Sequence, residues 1–196
     1  MKLLIHTCCA PCLILPLREL SKKKDITPTI FFFNPNIHPY QEFNKRLNAL
    51  KDYVNSVNLS LICDEEYKLD WFLKKILSRS ERVNRCQICY EIRLIETAKV
   101  AREKNFDAFT TTLLISPYQN FEIINNIGRS LAEKDCLIYL EEDWRPGFRE
   151  GIKMAKESGM YTQKYCGCIF SEEERFSARA KKRRKEELDF LYNNER

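Results

Sequence analysis

Seven of the chain's nine cysteines fall in three tight groups. Cys8, Cys9 and Cys12 stand in HTCCAPC, Cys86 and Cys89 in RCQIC, and Cys166 and Cys168 in YCGC. Thiolates are soft ligands, and at these spacings they suit iron, iron–sulfur clusters or zinc. Seven exceed what one tetrahedral ion takes. A four-iron cluster uses four thiolates, which leaves three, enough to hold a second metal with an open coordination position. An open position is what separates a catalytic metal from a structural one.

Other uses of cysteine compete with this one. A disulfide framework belongs to small secreted chains. Here the count is odd, no signal peptide precedes the first group, and 196 residues can bury a core without staples. A thioredoxin-like redox pair would explain Cys86-Gln-Ile-Cys89 and leave the other two groups without a role. A structural zinc ribbon takes four ligands, often from two CxxC knuckles, whereas this chain offers one CxxC, one adjacent pair and one CxC. Cys63 and Cys136 each stand alone in apolar, strand-like stretches and are expected to be buried small hydrophobes.

The elements that must position these groups follow from periodicity. Strands are expected at Lys2–Thr7, Thr27–Phe33, Leu59–Cys63, Asp107–Thr112 and Leu137–Glu141. Helices are expected at Pro11–Lys23, Tyr40–Val57, Leu69–Ser78, Ile88–Lys104 and Tyr118–Lys134, the second with Phe43, Leu47, Leu50 and Val54 on one face. Such alternation predicts an α/β sandwich with a mostly parallel sheet and additional C-terminal helices. The whole chain, 1–196, reads as one domain, with a basic helical tail at about 177–196. Ligands of open α/β sheets sit beyond the carboxyl ends of the strands. Cys8 and Cys9 follow the first strand, the loop Asn34–Pro39 follows the second, and Thr110–Thr112 end the fourth, so all three open on one edge. Cys86 and Cys89 are expected at a helix start, where backbone N–H groups favour thiolate. Gly167 lets Cys166 and Cys168 turn tightly enough to reach one metal.

Composition is that of an ordinary globular protein, 44% hydrophobic and 31% charged. No apolar run approaches the ~20 residues of a membrane span, so no membrane partner is expected. Free thiols in number and no targeting signal point to a reducing cytoplasm. The net charge of +5 is mild. Much of the excess lies between Arg179 and Lys185, where Arg183 and Arg184 would meet phosphates; flanking glutamates also allow a merely solvated helix end.

In this order HTCCAPC, FFFNPNIHPYQE, CQICYEIRL, FTTTLLISPYQ and YCGCIFSEEER resemble the QueH family, the cobalamin-independent epoxyqueuosine reductases. The likeness runs from residue 3 to about residue 176. It implies a Rossmann-like α/β fold and an oxidoreductase acting on tRNA: the epoxide of epoxyqueuosine, in the anticodon loop, is reduced to the alkene of queuosine. It also implies a four-iron–four-sulfur cluster beside a second metal ion, iron or else zinc. Epoxide to alkene takes two electrons and two protons and releases water. No side chain supplies those electrons, and no GxGxxG follows a strand to hold NAD or FAD. An external one-electron donor such as a ferredoxin or flavodoxin is therefore expected.

The resemblance supports the seven cysteines as a set; in the division made here Cys8, Cys9, Cys86 and Cys89 are assigned to the cluster and Cys12, Cys166 and Cys168 to the second metal. From its loop, His38 is expected as a proton donor or a substrate contact, or else as a histidine that caps a turn. Asn34, Asn36, Tyr40 and Thr111 are expected to contact the nucleoside, although Asx-Pro turns use such residues for local bonds and threonine is also an ordinary strand residue. His6 is expected to pack behind the ligands, and Phe31–Phe33 to be core. Two other functions fit the cysteines: an iron–sulfur redox sensor binding nucleic acid, and a structural-zinc RNA-binding module.

Overall fold

The computed structural model describes residues 1–23, 25–77, 82–178 and 182. Its five strands form one all-parallel sheet in the order β3-β2-β1-β4-β5. β1 (Lys2–His6) lies at the centre, and Leu3, Leu4, Ile5 and His6 are all buried, as a strand covered on both faces requires. It pairs with β2 (Thr27–Phe32) from Lys2↔Thr27 to His6↔Phe31, and with β4 (Ala108–Thr111) from Leu3↔Ala108 to His6↔Thr111. β3 (Ser60–Cys63) and β5 (Ile138–Tyr139) form the edges.

Parallel neighbours need crossovers, supplied here by α1 (Ala10–Ser21), α2 (Tyr40–Ser56), α3 (Leu69–Ile76), α4 (Arg82–Glu103) and α5 (Phe121–Asp135). The chain winds outward through β2 and β3, returns past β1 to β4, and winds the other way. Right-handed crossovers then set α1 and α2 on one face and α4 and α5 on the other. α4 packs on α5, and α6 (Phe148–Glu157) packs on α1. The winding reverses between β1 and β4, and the crevice beyond their carboxyl ends is where a doubly wound sheet receives a ligand. This is the Rossmann-like α/β architecture the motifs imply.

Most element boundaries lie close to the expected ones, and the departures have local causes. α4 starts at Arg82, well before Ile88, because the segment 82–87 is polar and carries no apolar period. Cys86 and Cys89 therefore lie past the first helical turn, not at a helix start. α5 starts at Phe121, after a turn in which the Asn120 side chain accepts from the Ile123 N–H at 3.1 Å. Cys136 is not a buried strand residue: it ends α5 in the left-handed region (φ 53°) and is exposed. Cys63 closes β3 only half-buried and donates to Glu65. Phe43, Leu47, Leu50 and Val54 of α2 are buried as their spacing predicts, and Phe31, Phe32 and Phe33 are core. Arg183, Arg184 and nearly all of the expected tail at 177–196 lie outside the described residues. Among the described residues, no helix is long and apolar enough to cross a membrane.

Candidate metal centre

β1 ends at His6, and two residues later the chain turns into α1 with Cys9 as its extended N-cap and Pro11 in the first turn. Proline is favoured there, since its missing N–H has no helical partner anyway. The turn gathers three thiols. The sulfurs of Cys8, Cys9 and Cys12 lie within 4.8 Å of one another, all buried, with 3.6 Å between those of Cys8 and Cys9. S–H donation from Cys12 and Cys9 holds Cys8 well below the usual thiol range. Burial pushes Cys9 up, and its bonds to Cys8 and Cys9 push Cys12 up. The trio can accept a soft metal as its thiols lose protons.

The other two groups come to the same place. Cys8, Cys12, Cys86, Cys89, Cys166 and Cys168 line one cavity of about 690 Å³ beyond the β1 and β4 ends, with Cys9 behind it in the trio. Cys86 and Cys89 share one face of α4. Burial pushes Cys89 up to about 12, although Arg93 opposes the shift. A helix spanning 169–178 follows Cys168, and the Ser171 N–H points at the Cys168 sulfur at 3.4 Å. The helix-start setting expected for Cys86 and Cys89 therefore belongs to Cys9 and Cys168. Favourable N–H groups face anionic ligands at such positions.

Residues whose role sequence reasoning missed hold the third group. Arg46 is fully buried on α2, ion-paired to Glu42 at 2.7 Å, and donates to the carbonyls of Cys166 (2.9 Å) and Tyr165 (3.0 Å). Glu42 also accepts from the Tyr161 hydroxyl. The His38 N–H donates to the Gly167 carbonyl at 2.7 Å, and the His38 carbonyl accepts from Tyr165. Gly167 has φ 134°, and a Cβ there would sit 3.1 Å from Arg46 Nη1 and Ile37 and 3.3 Å from Asn36. Only glycine fits, so the cysteine pair is moulded on the β2 loop and α2. Amides touch the sulfurs directly. Gln163 donates to Cys12 and Gln119 to Cys166, both at 3.4 Å, and the Tyr90 hydroxyl donates to the Gln119 carbonyl oxygen at 2.9 Å, fixing its orientation.

The polar residues expected to act on substrate lie elsewhere. His38 is 1% exposed, packed against Tyr67 and Phe72 outside the cavity lining, and burial lowers its pKa to about 4. Asn34 and Asn36 are buried; Asn34 donates to the Thr7 carbonyl, and neither lines the cavity. Tyr40 is exposed at the start of α2 and stacks edge-on with Tyr67, away from the cysteines. Thr111 bonds His6 at 2.8 Å and accepts from the Leu113 N–H. Of the three threonines it is Thr112 that lines the cavity, its hydroxyl 4.0 Å from the Cys8 sulfur. His6 is buried between Thr111 and the Phe33 carbonyl, behind the ligands.

A soft metal–sulfur centre fits this site on two grounds. Seven thiols from three distant segments converge without forming disulfides. The buried Arg93 extends an Nη2 with no hydrogen-bond partner from the cavity wall, a cation awaiting negative charge.

Comparison with known proteins gives the family. Residues 3–174 match the family described as epoxyqueuosine reductase QueH. The chain is 36% identical over 189 residues to the epoxyqueuosine reductase QueH of Thermotoga maritima, covering 93% of this chain and 96% of that one. It is 30% identical over 175 residues to the protein of the same name from Dehalococcoides mccartyi, covering 89% and 94%. Among solved structures, the U34-tRNA thiolase NcsA of Methanococcus maripaludis, determined with its [4Fe-4S] cluster, superposes with a TM-score of 0.55 at 14% identity. The match covers 84% of this chain and 58% of that one, and it shares the fold.

Proposed function

We propose that this chain, which belongs to the epoxyqueuosine reductase QueH family, is itself an epoxyqueuosine reductase that acts on tRNA. The reaction takes two electrons and two protons, breaks both carbon–oxygen bonds of the epoxide, and yields the alkene and water. The observation that carries this reading is the convergence of Cys8, Cys12, Cys86, Cys89, Cys166 and Cys168 on one cavity at the sheet's switch point.

Cys8, Cys9, Cys86 and Cys89 hold a four-iron–four-sulfur cluster in this account, and Cys12, Cys166 and Cys168 hold a second metal. When bound, these groups supply electrons singly from an external one-electron donor and polarise the epoxide oxygen. The chain's own residues do the rest. Gln163 and Gln119 orient Cys12 and Cys166 through their amides. Arg46 fixes the turn that carries Cys166 and Cys168. Leu113, Phe72 and Ile76 give the cavity apolar walls. At its mouth stand Lys156, Lys164 and Arg175, suited to phosphates, and Tyr118, 83% exposed, suited to stacking on an unpaired base. Arg183 and Arg184 extend the positive charge in sequence. An anticodon loop, with bases free to leave the stack, matches such a rim.

Anaerobic reconstitution with iron and sulfide tests the reading. The account expects a brown protein with four irons and four sulfides per chain plus one further metal. Colourless protein holding zinc alone would overturn it in favour of a structural-zinc RNA-binding module.

A further inference from the structure

Arg93 lies one helical turn beyond Cys89 on α4. It is 1% exposed, among the largest fully buried side chains of the described residues. Its Nε donates to the Cys89 carbonyl at 2.9 Å, and its own carbonyl accepts from Thr97 at 2.7 Å, so the side chain is fixed at its base. The guanidinium lies 5.7 Å from the Tyr90 ring centroid. Among the described residues no carboxylate pairs with it, in contrast to Arg46 and its Glu42. Nη2 is buried without a hydrogen-bond partner on the wall of the cysteine cavity.

A buried, unpaired guanidinium is costly, and it persists only where something negative compensates it. Burial opposes its charge, and the nearby cysteines favour that charge when they are ionised, Cys89 first, then Cys166 and Cys8. Those three cysteines come from both proposed ligand sets.

We propose that Arg93 is a positioning residue that sets the reduction potential of the metal–sulfur centre, its fixed charge and spare N–H stabilising the electron the centre accepts. The inference rests on the reading of the site given above. In the step concerned, one electron passes from an external one-electron donor to the centre, which gains one negative charge; no bond is made or broken. A cation that cannot leave favours the more negative state. Hydrogen bonds and charge around the sulfurs are among the factors that fix such potentials. The centre becomes reducible by a donor that could not otherwise reach it.

The test compares full-length wild type, Arg93→Lys, Arg93→Gln and Arg93→Met, each reconstituted anaerobically with iron and sulfide. Iron and sulfide per chain are counted, and the midpoint potential is read from an electron-paramagnetic-resonance titration with dithionite. Arg93→Lys should remain near the wild type. Arg93→Gln and Arg93→Met should be harder to reduce by at least tenfold in the one-electron equilibrium, about 59 mV. Uptake of iron by Arg93→Lys but not by the neutral variants would overturn the inference, since the charge would then be needed to assemble the centre and not to set its potential. A fully loaded Arg93→Met at the wild-type potential would overturn it. So would equal loss of iron in all three variants, which would mark Arg93 as packing. A wild type that takes up no cluster would instead overturn the proposed function and this inference together.

Discussion

Arg46→Met removes the side chain on which the third cysteine pair is moulded. The guanidinium makes a buried ion pair with Glu42 and two charge-assisted bonds to the carbonyls of Tyr165 and Cys166. Truncating one partner of a buried pair costs about 3–5 kcal/mol, because the other charge is left unpaired. Glu42 keeps its bond from Tyr161, which favours the lower end. In a domain of this size each kcal/mol moves the melting temperature by about 2–4 °C, so a fall of about 6–20 °C is expected. Thermal unfolding of the metal-free, reduced protein, followed by circular dichroism, measures it. The double variant Glu42→Gln/Arg46→Met leaves no buried charge uncompensated and should be more stable than Arg46→Met alone. A single variant within ~0.5 kcal/mol of wild type, the range of an ordinary surface change, would refute the reasoning. A double variant that simply adds a second loss would refute it as well.

Other outcomes follow from the same site. Cys12→Ser or Cys168→Ser should keep the brown chromophore and lose the extra metal and turnover; metal analysis that finds the chromophore lost in both would reassign these residues to the cluster. The His38 pKa of about 4 lies below the ordinary 6.5, so the unfolded chain binds the extra proton first as pH falls. Its contribution is intact above pH 6.5 and lost down to pH 4, about 2 kcal/mol between pH 7 and pH 5. Urea unfolding of metal-free protein at the two pH values should show this loss, and His38→Gln should lack it; equal slopes would contradict the buried, neutral histidine. Tyr118→Ala should raise KM for the tRNA by about 5- to 150-fold, as the loss of ~1–3 kcal/mol of base stacking implies, with kcat little changed. Steady-state kinetics showing unchanged KM would remove Tyr118 from the substrate's path.

The sequence made the cysteine groups plain and left the residues that support them hidden. Strands and helices were readable because a parallel sheet buried on both faces needs continuous apolar strands, and because α2 carries Phe43, Leu47, Leu50 and Val54 at helical spacing. The cysteines were readable by residue type, since seven thiols at short spacings have few uses. Arg46 and Arg93 were not. An arginine in an amphipathic helix ordinarily faces solvent, and nothing in its type reports burial. The available signal was positional: Glu42 and Arg46 border the stripe of Phe43 and Leu47, and Arg93 continues the face of Cys86, Cys89 and Tyr90. His38, Asn34 and Asn36 were read for their side chains, whereas His38 acts on the site through its backbone N–H and carbonyl, groups that every residue but proline carries. Cys136 misled because a left-handed helix end has no apolar signature of its own.

The central claim is that three cysteine groups gathered at one switch point make a reductase of an epoxide in tRNA. It is tested most directly by incubating anaerobically reconstituted protein, reduced with dithionite, with tRNA that carries epoxyqueuosine, then digesting the tRNA and resolving its nucleosides by mass spectrometry. The account predicts that epoxyqueuosine disappears and that queuosine, lighter by one oxygen atom, takes its place in proportion to the loaded protein. A reduced, cluster-bearing protein that binds the tRNA and leaves the epoxide intact would contradict it and would favour an iron–sulfur sensor.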